Sequence, residues 1–278
     1  MVGTKEIIMG RKTFFFMPDS SMVADIFLEE YMARGYETYI IRDDKACPFR
    51  RKVDLITSVF TDAILFFNVD SEVEGINWRS YIAELQKSYG ENILIGVIYK
   101  KRNNPEAKNQ IEQYYLYDIG IQCGCIELTS DPMHNFQLID STLRANQAEG
   151  RRKTLRAQCE ASSSVTIKLE GIQYRGKVLD VSTNHFSCTF AGDKPGLSIG
   201  TKITDAQLSI NGLIFQTDAI NSMTRKKEDG EVLHVLIFMR KDGSKGLDEN
   251  NYVNLRHKIY SIIDGRAKEL MNTLFAAN

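Results

Sequence analysis

Two short polar stretches contain residues that could together bind an anion. The first, RRKTLRA at 151–157, contains Arg151, Arg152 and Arg156. Residues four apart lie on one face of a helix or of a strand, so Arg152 and Arg156 can act together. Guanidinium groups suit phosphate, because their planar forks bind it through two parallel hydrogen bonds, and they also suit the O6 and N7 acceptors of guanine.

The second stretch, LDVSTNHF at 179–186, places an acid and a hydroxyl at the end of an apolar run. In a half-buried strand, Leu179 and Val181 would point inward, and Asp180 and Ser182 would point out together. The carboxylate can accept from N1–H and N2–H₂ of guanine, and the hydroxyl can bind base or phosphate. These groups together suit a guanine nucleotide, although residue types alone favour a solvated charge run and a strand-end turn.

Composition restricts the class of protein. The net charge is −1 and the pI is about 6.5, so no global basic field is available to hold nucleic acid or an anionic membrane. The N-terminus has no signal-peptide pattern, and no apolar run reaches the ~20 residues of a membrane span. We therefore expect a cytoplasmic protein whose anion binding is local.

The five cysteines are scattered, and only Cys123 and Cys125 lie close together. This pair has no matching His or Cys pair for zinc, so the sequence predicts buried free thiols and no metal site. The four histidines form no catalytic set, and His234 within an apolar run is expected to be a satisfied core residue.

The first half of the chain, residues 1–145, alternates apolar runs with segments of helical period. Such runs are typical of parallel strands that are covered on both faces. Ser20, Asn77 and Asp131 are suitable N-caps, and Gly35 and Gly90 are suitable helix stops. We expect a five-stranded open α/β sheet of flavodoxin-like order. The predicted strands are 13–17, 36–42, 63–69, 92–100 and 119–128.

Ligands of such sheets bind at the carboxyl ends of the strands. No glycine-rich loop follows the first strand, so a Rossmann or P-loop site is not expected. The alternation resembles receiver domains of two-component signalling in fold only. Asp70 is a passable phosphoacceptor, but a single acid follows strand one, and the lysines Lys100 and Lys101 follow strand four instead of strand five. A scaffold or partner-binding role is favoured. The strand-end polar residues are Asp19, Asp43, Asp44, Asn68 and Asp70.

The second half, residues 146–278, has short alternating strands separated by turns, and the polar stretch 144–152 marks the boundary between the halves. The pair Asn211-Gly212 between two apolar runs is a strong hairpin signal. This pattern predicts a six-stranded antiparallel β-barrel, capped by a terminal helix over about 250–274. The predicted strands lie at 164–170, 174–181, 186–190, 202–210, 213–220 and 231–239.

The two polar stretches resemble, in this order, the signature of the PilZ domain. That signature has Arg-x-x-x-Arg at the start of a small barrel and Asp/Asn-x-Ser-x-x-Gly about two dozen residues later. Here RKTLR supplies Arg152 and Arg156, preceded by a further arginine, and DVSTNH supplies Asp180 and Ser182. The resemblance covers roughly residues 148–275.

PilZ domains are bacterial receptors for cyclic di-GMP. The resemblance implies that Arg152 and Arg156 clamp the ligand, that Asp180 reads a guanine edge and that Ser182 supports it. The family's glycine is His185 here. A tolerated turn residue is the favoured interpretation, and the alternatives are a side chain that narrows the site and weakens binding or one that stacks on a base. The predicted ligand-binding residues are Arg151, Arg152, Arg156, Asp180, Ser182 and His185.

The leading hypothesis is a non-enzymatic receptor that binds cyclic di-GMP at the interdomain hinge and barrel surface. Binding would change the orientation of the domains and signal to a protein partner through the N-terminal domain. Two alternatives stay open. One is a PilZ-like adaptor that binds proteins but no nucleotide, and the other is a ligand-controlled regulator that binds nucleic acid. No cofactor is expected.

Overall fold

The computed structural model describes residues 10–17, 23, 26–43, 47–150, 154–191, 195–228 and 230–276. The chain divides into two compact units. The first comprises Met1–Leu155 and Lys268–Asn278, and the second comprises Arg156–Ala267.

The first unit contains a five-stranded sheet in which every pairing is parallel. Its strand order, β2-β1-β3-β4-β5, is the flavodoxin-like order and confirms the predicted α/β fold. All residues of β1 and β3 are buried, as expected for central strands covered on both faces. The strands are β1 Thr13–Phe16, β2 Thr38–Ile41, β3 Ala63–Asn68, β4 Ile93–Lys100 and β5 Cys125–Leu128.

Helices connect these strands, and the described N-caps agree with the sequence. The Asn77 side chain accepts from the backbone N–H of Ser80, and Asp131 accepts from the N–H groups of Met133 and His134. The predicted cap Ser20 lies outside the described residues. The helices are α1 Ile26–Ala33, α2 Phe49–Val59, α3 Trp78–Tyr89, α4 Pro105–Glu112 and α5 Pro132–Ala145, and a π-helical segment, Gln113–Ile119, follows α4.

The fifth strand is shorter than predicted. Residues 119–128 were expected to form one strand, but β5 begins only at Cys125. Gly120 and Gly124 have φ angles of +76° and +75°, in the left-handed region that an extended strand does not use. The apolar character of the preceding residues therefore reflects burial, since Ile121 and Cys123 are buried in a loop conformation.

The second unit contains a seven-stranded antiparallel sheet. Strand β6 lies against β8, and the other six strands close into a barrel because β8 pairs with both β7 and β9. This confirms the predicted barrel. The strands are β6 Ala157–Gln158, β7 Ser164–Leu169, β8 Ile172–Val181, β9 His185–Phe190, β10 Lys202–Ile210, β11 Leu213–Lys226 and β12 Val232–Met239.

A tight hairpin and the terminal helix complete this unit. Asn211 and Gly212 have φ angles of +44° and +89° and join β10 to β11, as predicted for a two-residue turn. Helix α6, Glu249–Ala276, begins at the barrel, and Leu255 and Ile259 belong to the barrel core. Within the part of the chain that the structure describes, no helix has the length and apolar character to cross a membrane.

His234 is a core residue, as predicted. It is 5% exposed, and its Nδ1 lies 3.2 Å from the hydroxyl oxygen of Thr224. Burial lowers the pKa of His234 below 6.5, because imidazolium is poorly solvated in the barrel.

This burial predicts a pH dependence of stability. Above pH 6.5, His234 is neutral in both states and its contribution is fully present. As the pH falls below 6.5, the unfolded chain binds the proton more readily, so the free energy of unfolding decreases until the lower folded pKa is reached. Chemical denaturation between pH 7 and 5 should show a smaller decrease for His234→Gln than for wild type. Equal slopes for wild type and His234→Gln would contradict this.

Candidate functional site

Strand β6 brings the first polar stretch to the second. Gln158 pairs with Asp180 and Ala157 with Val181, so the chain that leads into β6 runs beside the end of β8. As a result, the Arg156 Nη1 atom lies 3.7 Å from Oδ1 of Asp180. The two side chains are 29% and 27% exposed, but the Oδ1 atom itself is buried and accepts no hydrogen bond from the described residues.

The other carboxylate oxygen of Asp180 is held from the opposite strand. Ser187 on β9 lies directly across from Asp180, and its hydroxyl donates to Oδ2 at 2.6 Å. Ser187 is only 2% exposed, so its hydroxyl fixes the carboxylate from beneath. No sequence pattern indicated this residue, because the contact depends on the register between β8 and β9.

Ser182 does not point outward as predicted, since it is completely buried. Strand β8 ends at Val181, so Ser182 lies in the turn to β9, where strand alternation does not apply. A β-bulge in the pairing with β9 between Val178 and Asp180 also shifts the alternation within β8. Both Val178 and Val181 therefore belong to the barrel core, whereas Leu179, which was expected to point inward, is half-buried.

The hydroxyl of Ser182 instead organises the turn between β8 and β9. Its Oγ accepts from the backbone N–H groups of Asn184 at 3.3 Å and His185 at 3.2 Å, and lies 2.9 Å from Nδ1 of His185. The backbone N–H of Ser182 donates to the carbonyl oxygen of His185 at 2.8 Å. Ser182 and His185 thus form one compact turn directly after Asp180.

The residue that replaces the motif's glycine sits in an unstrained backbone. His185 is not among the residues with positive φ, so this turn does not require glycine for its conformation. The imidazole is half-buried, and its hydrogen bond with Ser182 fixes its orientation. Of the other predicted site residues, Arg151 and Arg152 lie outside the described residues.

Cys159 follows β6 and is half-buried, as is Cys125, so the prediction of buried thiols is wrong for these two. Burial and the nearby Asp180 carboxylate raise the pKa of Cys159 to about 11, which keeps the thiol protonated and poorly reactive at neutral pH. Among the described residues, no group of three His, Cys, Asp or Glu side chains could hold a metal ion.

The strand ends of the first unit form a separate pocket of about 420 Å³. Asp70 accepts from the Lys100 backbone N–H at 2.6 Å and forms an ion pair with Arg102. The carboxylate considered as a phosphoacceptor is therefore tied into the fold. Asp43 and Asn68 also line this pocket, whereas Asp19 and Asp44 lie outside the described residues.

No protein-family model matches the chain, and no curated protein matches it. The chain is similar to the solved structure of YcgR from Escherichia coli in complex with c-di-GMP, with 15% identity over 46% of this chain and 52% of that chain and a TM-score of 0.37. The PilZ domain of YcgR with c-di-GMP has 16% identity over 44% of this chain and 98% of that chain, with a TM-score of 0.35.

The complex of MrkH from K. pneumonia with c-di-GMP has 14% identity over 45% of this chain and 55% of that chain, with a TM-score of 0.33. The match thus spans about half the length of the YcgR and MrkH chains. The second of these three structures is a PilZ domain, the family that the C-terminal half is predicted to resemble.

The turn after Asp180 provides a stability test. We expect Ser182→Ala to lower the free energy of unfolding by about 1–3 kcal/mol, because two backbone N–H groups lose their acceptor in a buried place. The measurement is urea denaturation, with half-buried Thr183→Ala as the control, for which a change within about 0.5 kcal/mol is expected. Equal stability of the two variants would show that the hydroxyl does not hold the turn.

Proposed function

We propose that this chain is a receptor for cyclic di-GMP that acts by binding and not by catalysis. The observation that carries the proposal is the approach of Arg156 to Asp180 at 3.7 Å on the barrel surface. One residue comes from each half of the bipartite motif. A guanidinium suited to phosphate and a carboxylate suited to the guanine edge therefore lie together.

The proposed contacts use the two carboxylate oxygens of Asp180 differently. Oδ2 is held by Ser187, and Oδ1 faces Arg156. The N1–H and N2–H₂ donors of guanine match a carboxylate, and their arrival would compete with Arg156 for Oδ1. The guanidinium would then be available for a ligand phosphate, which it can bind through two parallel hydrogen bonds.

Ser182 and His185 have different roles in this proposal. Because the Ser182 hydroxyl is buried, Ser182 acts as a positioning residue for the turn and not as a ligand contact. His185 is half-buried, and its imidazole, oriented by Ser182, would stack on a base or limit the width of the site. Arg151 and Arg152 are assigned to the ligand through the motif alone.

We further propose that binding changes the orientation of the two units. One of the two points at which the chain passes between the units lies between Leu155 and Arg156, inside the arginine motif. A ligand held by both the motif and Asp180 would favour one arrangement of this boundary over others. The first unit would pass the change to a downstream protein partner.

Calorimetric titration of cyclic di-GMP into the full chain tests the binding site. We expect wild type to bind, and Arg156→Ala and Arg152→Ala each to weaken binding about tenfold or more, because each removes a charge-assisted contact. Arg175→Ala is the matched control, since Arg175 is exposed on β8 but lies five residues, or about 16 Å, before Asp180.

The outcomes separate the functional classes. Absence of binding by wild type at high micromolar ligand would rule out the receptor and leave the protein adaptor. Binding by wild type with unchanged affinity in both motif variants would place the ligand elsewhere on the chain.

Small-angle scattering tests the change in orientation. We expect the profile of wild type to change at saturating ligand, because the bound state selects one arrangement of the units. Arg156→Ala at the same ligand concentration should keep the profile of the ligand-free protein. Identical wild-type profiles with and without ligand, at a saturation verified by calorimetry, would exclude reorientation while leaving binding intact.

A further inference from the structure

A second arginine, far away in the sequence, lies beside the proposed site. Arg266 on helix α6 donates from Nη1 to the amide oxygen of Gln158 at 2.9 Å. Gln158 is the residue of β6 that pairs directly with Asp180 on β8. Directly opposed residues of antiparallel strands project from the same face with Cβ atoms about 5 Å apart. Helix α6 thus brings a guanidinium to the side chain that lies directly opposite Asp180.

The charge of Arg266 is not balanced by an acid. Its bond to Gln158 uses a neutral acceptor, and no acidic side chain within the described ranges forms an ion pair with it. The side chain is exposed, so its remaining N–H donors face solvent. A contact that only tied the helix to β6 would not need a positive charge.

The thiol of Cys159 lies close enough to Asp180 and Arg266 for both charges to affect its pKa. Burial is the main reason for the raised pKa of Cys159, but the Asp180 carboxylate raises this pKa further and the Arg266 guanidinium lowers it. Cys159 directly follows Gln158 in the chain, and its backbone N–H donates to the Leu179 carbonyl oxygen at 2.8 Å. The acid and the cation are therefore gathered around one short stretch of the barrel edge.

We propose that Arg266 is a further ligand-binding residue of this site and contacts a phosphodiester of the bound cyclic dinucleotide, with Gln158 as its positioning residue. The inference rests on the proposed function. A cyclic dinucleotide carries two phosphodiesters in one ring, so a guanine at Asp180 brings a phosphate close to the cations around that carboxylate. Arginine suits this role because its fork retains donors for phosphate after one N–H has bonded to Gln158.

Calorimetry with cyclic di-GMP and the full chain tests this assignment. We expect Arg266→Ala to raise the Kd about tenfold and Arg266→Lys to recover part of the loss, because a lysine keeps the charge without the fork. Gln158→Ala should raise the Kd about threefold. The double variant should bind no more weakly than Arg266→Ala, since Gln158 acts through Arg266.

The control lies on the same helix. Lys258→Ala removes a positive charge eight residues, or about 12 Å, N-terminal to Arg266 and should leave the Kd within about twofold of wild type. The ratio of Kd between Arg266→Ala and wild type should also shrink as salt is added, because screening weakens a phosphate contact. A purely structural role of Arg266 would give a ratio independent of salt and a lowered melting temperature.

Failure of this inference is distinguishable from failure of the proposed function. If wild type binds and Arg156→Ala loses affinity while Arg266→Ala stays within about twofold of wild type, Arg266 is not part of the site and the receptor function stands. If wild type does not bind cyclic di-GMP, the proposed function is wrong and the assignment of Arg266 to this ligand is wrong with it.

Discussion

The pairing of β8 with β9 closes the barrel and also determines where the Asp180 carboxylate lies. Strand β8 has β7 and β9 along its length and β6 at its end, so Asp180 is flanked by Gln158 on one side and by Ser187 on the other. The bulge in this pairing shifts the alternation just before Asp180, and the turn that follows is held by the buried Ser182 hydroxyl. The Ser187 contact and the turn held by Ser182 depend on this closure, because both join β8 to β9.

A partly buried carboxylate is stable only where donors replace the water it has lost. Asp180 has one hydrogen-bond donor, the buried hydroxyl of Ser187, and one ion-pair partner, the Arg156 guanidinium at 3.7 Å from the buried Oδ1. The first is fixed by strand register, and the second is carried by the chain just before a strand of two residues. The Ser187 hydroxyl therefore sets the direction of the carboxylate. Arg156 is the partner that a ligand donor can displace from Oδ1. Asp70 in the first unit does not have one fixed and one displaceable partner on separate segments. Both of its described partners, Arg102 and the Lys100 N–H, belong to one short segment.

The fold could be predicted wherever local pattern determines structure, as at the Asn211-Gly212 turn and the Asn77 cap. The prediction failed where a longer-range constraint overrode the pattern. Strict alternation placed Ser182 outside, but β8 ends at Val181, and Ser182 lies in the turn that joins β8 to β9. Ser187 and Arg266 could not be predicted either, because each makes a contact between two segments that only the barrel fold brings together. Gln158 and Arg266, for example, are 108 residues apart in the sequence. The motif located two of the chemical groups, and the tertiary fold added the residues that orient them.

The proposed effect of ligand binding on the orientation of the units depends on the shortness of β6. Only Ala157 and Gln158 pair with β8, supported by one further backbone bond from Cys159 to Leu179, so few interactions hold this segment to the barrel. Arg156 precedes it at the boundary between the units. A ligand that contacts both this segment and Asp180 would bind the paired arrangement of β6 more tightly than the unpaired one. The difference between the two binding free energies is the amount by which the ligand stabilises the paired arrangement. The same chemistry on a long central strand would bind a ligand without changing the equilibrium, since that strand would already be fully held.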